Sequence, residues 1–286
     1  MNPEEYAARQ AVISAATAAY VAQFAKLFSV PSLAPSQWLQ LLELLFPQIL
    51  AQRQLASALA REFYDSQRLL HAPGRHDRPL EYYDFQDFVT AMDPARRKLS
   101  QENAPESAIG DLARSAVKEV ENGGRRQIIH AVHTDPGPVK GWARVATGNE
   151  TCGWCLMLIS RGPVYLGADT AGLDLDDTSA QQMIAAGEDI SEHMEEWHVG
   201  CDCKVIPVFN LKNWHGKDAA DRALELWNEA STEAAKFREE NPGRKHTVGK
   251  NAGKEFTLNE DAILALRRRL ERGGINPSEW AGLRAA

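Results

Sequence analysis

The sequence has few cysteines, and all of them lie in two short clusters. Only four occur among its 286 residues. Cys152 and Cys155 form a C-x-x-C pair, and Cys201 and Cys203 form a C-x-C pair that follows His198. A framework of more than two disulfides is therefore excluded, and the two clusters are the strongest candidates for a functional site.

Long apolar runs are also missing. No uninterrupted apolar segment approaches the roughly 20 residues that a membrane-spanning helix needs. Residues 1–30 lack the basic start and the short apolar core of a secretory signal peptide. We therefore expect neither secretion nor membrane insertion, and we expect the chain to be a protein of the cytoplasm.

Two further features argue against particular enzyme classes and against nonspecific DNA binding. Neither a G-x-x-x-x-G-K-S/T phosphate-binding loop nor a G-x-S-x-G nucleophile turn occurs in the sequence. The formal net charge is −7, which disfavours nonspecific DNA binding by the chain as a whole. Local basic segments remain candidates for such contacts.

The two cysteine clusters have the composition of a structural zinc site. Zinc prefers four nitrogen or sulfur donors in a tetrahedron, and two turns that each supply two donors meet this requirement. Cys152 and Cys155 would supply one pair, and two of His198, Cys201 and Cys203 the other. Cys₄ and Cys₃His shells both remain open, and we favour Cys₃His. The alternative is two disulfides, which a cytoplasmic location disfavours.

A zinc-containing enzyme is the competing interpretation. His193 and Glu195 form an H-x-E element ahead of the second cluster, as in zinc deaminases, where the glutamate transfers protons beside a metal-bound water. A nuclease is the other form of this interpretation, with His193 as the base and a magnesium site at Glu195, at Glu196 or at the cluster of Asp174, Asp176 and Asp177. The deaminase pattern needs P-C-x-x-C downstream, however, and here a C-x-C follows. An additional C-x-x-C would also fill the coordination position that catalysis needs, so we expect no enzyme.

The first third of the chain has the apolar periodicity of helices. One helix is predicted over residues 6–28, and a second begins at Ser36 as N-cap and continues to about residue 70, with a kink at Pro47. A third is predicted over residues 109–133. Residues 75–105 are rich in charge, aromatic rings and proline, which predicts a loop with short helical pieces.

The middle and the end of the chain differ in character. Short apolar runs at residues 141–146 and 204–209 predict strands beside the two cysteine clusters. The last quarter is again helical, with one helix around residues 224–237 and another over residues 260–272, for which Asn259 is the predicted N-cap.

These elements predict a predominantly helical α+β protein in three parts. Residues 1–138 form a long helical arm, residues 139–212 a small mixed α/β domain stapled by zinc, and residues 213–286 a helical segment with a basic linker. The apolar stripes at residues 6–28 and 263–270 have two interpretations. They either form the core of the protein itself or bind a helical partner.

The helix over residues 260–272 ends in three consecutive arginines, Arg267, Arg268 and Arg269. Cations at a helix C-terminus interact favourably with the helix dipole, and we favour this interpretation. Contact with packaged nucleic acid is the alternative.

The cysteine clusters and their flanking residues resemble the phage Mu F-like (MuF) minor head proteins, and most closely the form found in phages of actinobacteria. The resemblance covers roughly residues 140–210, with the C-x-x-C and H-x-x-C-x-C elements in family order. Family members commonly have a histidine-proline pair in the second cluster. In this sequence His198 is instead followed by Val199. The matching stretches are residues 146–148, 151–158, 160–165, 197–203 and 207–209.

This resemblance implies a structural protein of a tailed-phage head that is encoded near the portal gene. Such a protein is present in a small number of copies, more than one per virion, at the portal or the inner head surface. It acts in head assembly, DNA packaging or DNA exit. The implied partners are the portal protein and the major capsid protein, and the implied locations are the virion head and, during assembly, the host cytoplasm.

Overall fold

A computed structural model describes residues 1–25, 33–80, 82–99, 107–149, 152–163, 186, 197–249 and 252–284. The described residues of Met1–Gly141 and Glu195–Cys201 form one compact unit, and those of Trp142–Met194 and Asp202–Ala285 form a second. The three-part division at residues 138 and 212 stays a prediction.

Helices and one small sheet account for the regular structure of the described residues. The elements are α1 (Pro3–Ala25), α2 (Pro35–Arg68), α3 (Phe85–Leu99), α4 (Ser107–Thr134), β1 (Gly141–Val145), α5 (Gly153–Ser160), β2 (Lys204–Val208), α6 (Lys217–Glu240), α7 (Leu258–Glu271) and a 3₁₀ helix (Pro277–Trp280). The predicted α+β class with a helical majority is confirmed.

The first unit is a bundle of α1, α2, α3 and α4. Its apolar stripes face inward, so the stripe at the start of the chain belongs to the core of this unit. Tyr6 of α1 stacks on Phe63 of α2 with ring centroids 4.4 Å apart. Other fully or almost fully buried core residues are Val21, Leu42, Leu45, Ile49, Phe88, Met92, Leu112 and Val120.

A glycine in α4 sets how closely α2 and α4 approach. A Cβ atom on Gly123 would lie 2.6 Å from Cγ of Arg53 and 3.0 Å from the backbone oxygen of Arg53. The absence of a side chain therefore lets the two helices pack, although glycine lowers helix propensity. The side chain of Arg53 then reaches Glu119 across the contact, at 3.8 Å between Nη1 and Oε2.

The predicted loop between α2 and α4 was wrong in part, because it contains the fifteen-residue helix α3. Asp84 and Asp87 stabilise the start of this helix reciprocally, since each carboxylate accepts a hydrogen bond from the backbone NH of the other. Phe88 and Met92 are fully buried on its inner face. The four-residue spacing of these two residues carried the helical signal, and Pro94 obscured it.

Two predicted N-caps were also displaced. Helix α2 begins at Pro35, with Ala34 as N-cap, because the fixed φ of proline suits the first helical position. Helix α7 has Thr257 rather than Asn259 as N-cap, and Glu260 completes a capping box with it.

The second unit combines a two-stranded sheet with α5, α6 and α7. Strands β1 and β2 form hydrogen bonds with each other and are buried along their whole length. An isolated parallel bridge joins Ala146 to Ala281 after the 3₁₀ helix. The two predicted strands next to the cysteine clusters are thus confirmed.

His193, Glu195 and the other acidic residues predicted for the nuclease site lie outside the described residues. Within the described ranges, none of the helices combines the length and the apolar character that crossing a membrane requires.

Candidate metal centre

The first cysteine pair lies at the start of helix α5. Cys152 is the N-cap of the helix, and its sulfur accepts a hydrogen bond from the backbone NH of Cys155 at 3.5 Å. The next turn closes through the NH of Leu156, which donates to the Cys152 carbonyl at 2.9 Å. Amide donors and the positive end of a helix favour the thiolate form, which is the form that binds metals.

Gly153 and helix α7 determine where this turn lies. A Cβ atom on Gly153 would approach Cβ of Leu266 to 3.2 Å and the backbone oxygen of Ile263 to 3.3 Å. Met157 and Leu158 of α5 form an apolar cluster with Ile263. The second apolar stripe of the sequence therefore packs on the helix that carries the first cysteine pair.

The second cluster is a tight turn that ends at the start of strand β2. The NH of Cys201 donates to the His198 carbonyl at 3.2 Å, and Gly200 has the positive φ of 82° that the turn requires. Nδ1 of His198 lies 3.0 Å from the Val199 carbonyl oxygen. If Nδ1 carries the proton for this bond, Nε2 is the metal-binding atom, as is usual for histidine ligands.

The structure brings the five predicted donors into two overlapping groups. Candidate ligand atoms of Cys152, Cys155 and His198 all lie within 4.8 Å of one another, and the sulfurs of Cys155, Cys201 and Cys203 meet the same limit. Cys155 is common to both groups. None of the four cysteines, all of which lie in the described part of the chain, forms a disulfide.

These donors fit a tetrahedral metal. Zn–S bonds of about 2.3 Å place two sulfurs of a tetrahedral site about 3.8 Å apart, which is inside the 4.8 Å limit of each group. Cys155 and Cys203 are fully buried, and Cys201 nearly so. Burial of several thiols at such short separations is the donor chemistry of a structural metal centre, so the cluster could hold a metal ion.

Asp202 lies between the two cysteines of the second cluster. Its side chain forms hydrogen bonds with residues that precede the first cluster. One carboxylate oxygen accepts hydrogen bonds from the Thr147 hydroxyl at 2.9 Å and from the backbone NH of Asn149 at 3.0 Å. These two bonds connect Thr147 and Asn149 to the residue that precedes Cys203. The sequence alone gave no indication of this role.

Arg125 of α4 contacts residues of the second cluster and the tryptophan that precedes it. Its buried guanidinium donates to the Cys201 carbonyl at 2.9 Å and to Glu121 at 2.6 Å. It also lies 4.2 Å from the ring centroid of Trp197. A buried cation that binds a carboxylate, a carbonyl and an aromatic face has compensation for its lost hydration. It thereby contacts the Cys201 backbone after His198 and the Trp197 ring before it.

The arginine triplet at the end of α7 is largely used within its own unit. Arg268 binds Glu233 at 3.1 Å, and Arg269 binds Glu229 at 2.8 Å. Arg267 is exposed. Two of the three arginines, for which DNA contact was the alternative interpretation, thus form ion pairs with α6.

Similarity to known proteins agrees with a phage origin. Residues 1–230 match the model of the VG15 protein family. The chain is 49% identical to the Gene 15 protein of Mycobacterium phage L5, over 98% of this chain and 99% of that protein. It is also 49% identical to the Gene 15 protein of Mycobacterium phage D29, over 94% of this chain and 99% of that protein.

No solved structure matches the chain significantly. The family match covers well over half of the chain, and both relatives align over nearly their whole length. The protein is therefore a phage protein, and it belongs to the VG15 family.

Proposed function

We propose that this chain is a structural minor head protein of a tailed bacteriophage, located at the portal or on the inner head surface. The observation that carries this proposal is the approach of the C-x-x-C pair to the H-x-x-C-x-C cluster, in the order that MuF proteins have. Membership of a family with mycobacteriophage proteins supports it.

The metal in this proposal is zinc, and its role is structural. Five donors compete for four positions, so no position remains for a catalytic water. The thiols of Cys155 and Cys203 are buried, whereas Cys152 and His198 are not fully buried. Zinc would join two turns that are distant in the sequence, and folding of this region would depend on it.

Elemental analysis of the purified full-length chain tests the metal. We expect about one zinc per chain. Cys155→Ser should remove it, because Cys155 belongs to both donor groups. Single replacements of His198, Cys201 and Cys203 provide the comparison, since one of these donors is in excess. Wild-type protein without zinc after expression with added zinc would refute the metal centre.

The proposed partner is the portal protein, with the major capsid protein as the second head component. Co-expression of the full-length chain with the portal protein of the same phage tests this contact. We expect the two to co-elute in size-exclusion chromatography, whereas the chain and an unrelated portal should elute separately. Separate elution from its own portal and from its own capsid protein would refute the partner assignment.

A further inference from the structure

A chain of polar contacts runs through the first unit to the turn that carries Cys201. The hydroxyl of Ser14 in α1 donates to Glu121 of α4 at 2.8 Å, and the other carboxylate oxygen of Glu121 accepts from Nη2 of Arg125 at 2.6 Å. The same Nη2 donates to the Cys201 carbonyl at 2.9 Å. All four residues belong to the first unit. Helix α1 is therefore connected to a candidate metal donor through two side chains of α4.

The guanidinium of Arg125 is held by further contacts. Nη1 donates to the side-chain oxygen of Asn122 at 3.1 Å, and the guanidinium carbon lies 4.2 Å from the ring centroid of Trp197. Arg125 is 2% exposed and Trp197 is 3% exposed. Because a guanidinium presents its donors in a rigid planar fork, an arginine that is held in this way also restricts its acceptors.

The contact of Arg125 falls on the residue that closes the donor turn. The backbone NH of Cys201 donates to the His198 carbonyl at 3.2 Å, and the Cys201 carbonyl is the acceptor for Arg125. The sulfur of Cys201 lies within 4.8 Å of those of Cys155 and Cys203. Both backbone polar groups of a candidate ligand are thus hydrogen-bonded, which restricts the direction of its sulfur.

We propose that Arg125 is a positioning residue of the metal centre, and that it couples metal occupancy to the stability of the helical bundle. Loss of a group that orients a metal ligand costs about 10- to 100-fold in metal affinity. Such coupling is reciprocal, so a bundle that positions Cys201 for the metal is itself stabilised when the metal binds. The inference rests on the proposed zinc centre, to which it adds the residue through which zinc stabilises the bundle.

A buried ion pair that only stabilises the helices is the alternative interpretation, and the bundle contains a matched control for it. Arg53 of α2 is also 2% exposed, lies 3.8 Å from the Glu119 carboxylate and has its guanidinium carbon 3.9 Å from the ring centroid of Tyr83. It therefore resembles Arg125 in burial, ion pairing and ring contact. Arg53 donates to the Glu119 carbonyl of the bundle, whereas Arg125 donates to that of Cys201.

Zinc competition with a chromogenic chelator and amide hydrogen exchange, both on the full-length chain, test the proposal. Arg125→Met should bind zinc about tenfold more weakly than the wild type, whereas Arg53→Met should stay within about twofold of the wild type. Removal of zinc from the wild type should raise the exchange rates of α4 amides around Glu121. This response should be lost in Arg125→Met and kept in Arg53→Met.

Arg125→Lys decides the case if Arg125→Met does not fold. Lysine keeps the buried positive charge beside Glu121. Its single ammonium does not reproduce the planar fork that serves Glu121, Asn122 and the Cys201 carbonyl together. We expect Arg125→Lys to fold, as judged by circular dichroism, and to bind zinc more weakly than the wild type.

Three results would overturn the proposal and leave the zinc centre intact. One is wild-type zinc affinity in a folded Arg125 variant, and another is an unchanged response of α4 to zinc in folded Arg125→Met. The third is equal loss of zinc affinity in Arg125→Met and Arg53→Met, which would show that the ion pair only stabilises the helices. A wild-type chain that binds no zinc would instead refute the metal centre itself, and this inference with it.

Discussion

At the scale of single residues, two glycines of α4 are predicted to respond oppositely to the same substitution. Gly123→Ala should lower the free energy of unfolding by about 1–2 kcal/mol, because overpacking against Arg53 exceeds the gain in helix propensity. Gly110→Ala should raise it by about 0.5–1 kcal/mol, since its Cβ would meet only Nη1 of Arg114 at 3.7 Å.

Urea unfolding followed by circular dichroism measures both changes. Equal free energies of unfolding for Gly123→Ala and Gly110→Ala would contradict the close approach of α2 and α4 at Gly123.

Asp135 makes the stability of the bundle depend on pH. Burial alone would raise the pKa of this carboxyl, but hydrogen bonds from Arg68 at 2.6 Å, the Gly137 NH at 2.7 Å and Tyr64 at 2.8 Å hold the pKa below its usual value of 3.8. A carboxyl with a depressed folded-state pKa stabilises the protein above its unfolded pKa, and this stabilisation is lost as the pH falls through the folded pKa.

Asp135→Asn should therefore destabilise the chain by about 3 kcal/mol at neutral pH, because Arg68 loses its buried counter-charge. The difference from the wild type should shrink as the pH falls below 3.8. Urea titrations at neutral and acidic pH measure it. A difference that stays constant down to about pH 2 would contradict the assigned ion pair.

At the scale of elements, Asp202 is predicted to position Thr147 and Asn149, which precede the first cysteine pair. Asp202→Ala removes the acceptor of the Thr147 and Asn149 hydrogen bonds, and we expect about tenfold weaker zinc binding as a result. Asp202→Asn keeps a side-chain oxygen and should bind zinc nearly as the wild type does. Competition with a chromogenic chelator measures both affinities, and a wild-type affinity in Asp202→Ala would rule out this role.

The sequence predicted most helices because their apolar residues recur at helical spacing. It predicted only short helical pieces where α3 lies, because Pro94 and the surrounding charges hide the inner face, and it displaced two N-caps by two positions each. Cap choice depends on local backbone geometry, which apolar spacing does not encode.

For the candidate site, cysteine spacing alone identified the donors. Their supports could not be predicted, because Arg125, Asp202 and Gly153 act through contacts with residues distant in the sequence. The two apolar stripes were ambiguous for the same physical reason. Periodicity shows that a face is apolar but does not show what covers it, and here each stripe packs within its own unit.

At the scale of the whole molecule, the chain is a phage protein with a helical bundle and a second unit that carries the first cysteine pair. Metal binding is a proposed property of one part of the chain, and it does not by itself establish where the protein acts. The central claim is that the chain is a structural component of the phage head.

Quantitative mass spectrometry of purified proheads and virions, from the phage that encodes this chain, tests that claim most directly. We expect the chain to co-purify with both particles, at a small number of copies relative to the major capsid protein. An abundant cytoplasmic phage protein from the same infection serves as the control for contamination. Absence of the chain from proheads and virions alike, with the chain present in the infected-cell lysate, would contradict the claim.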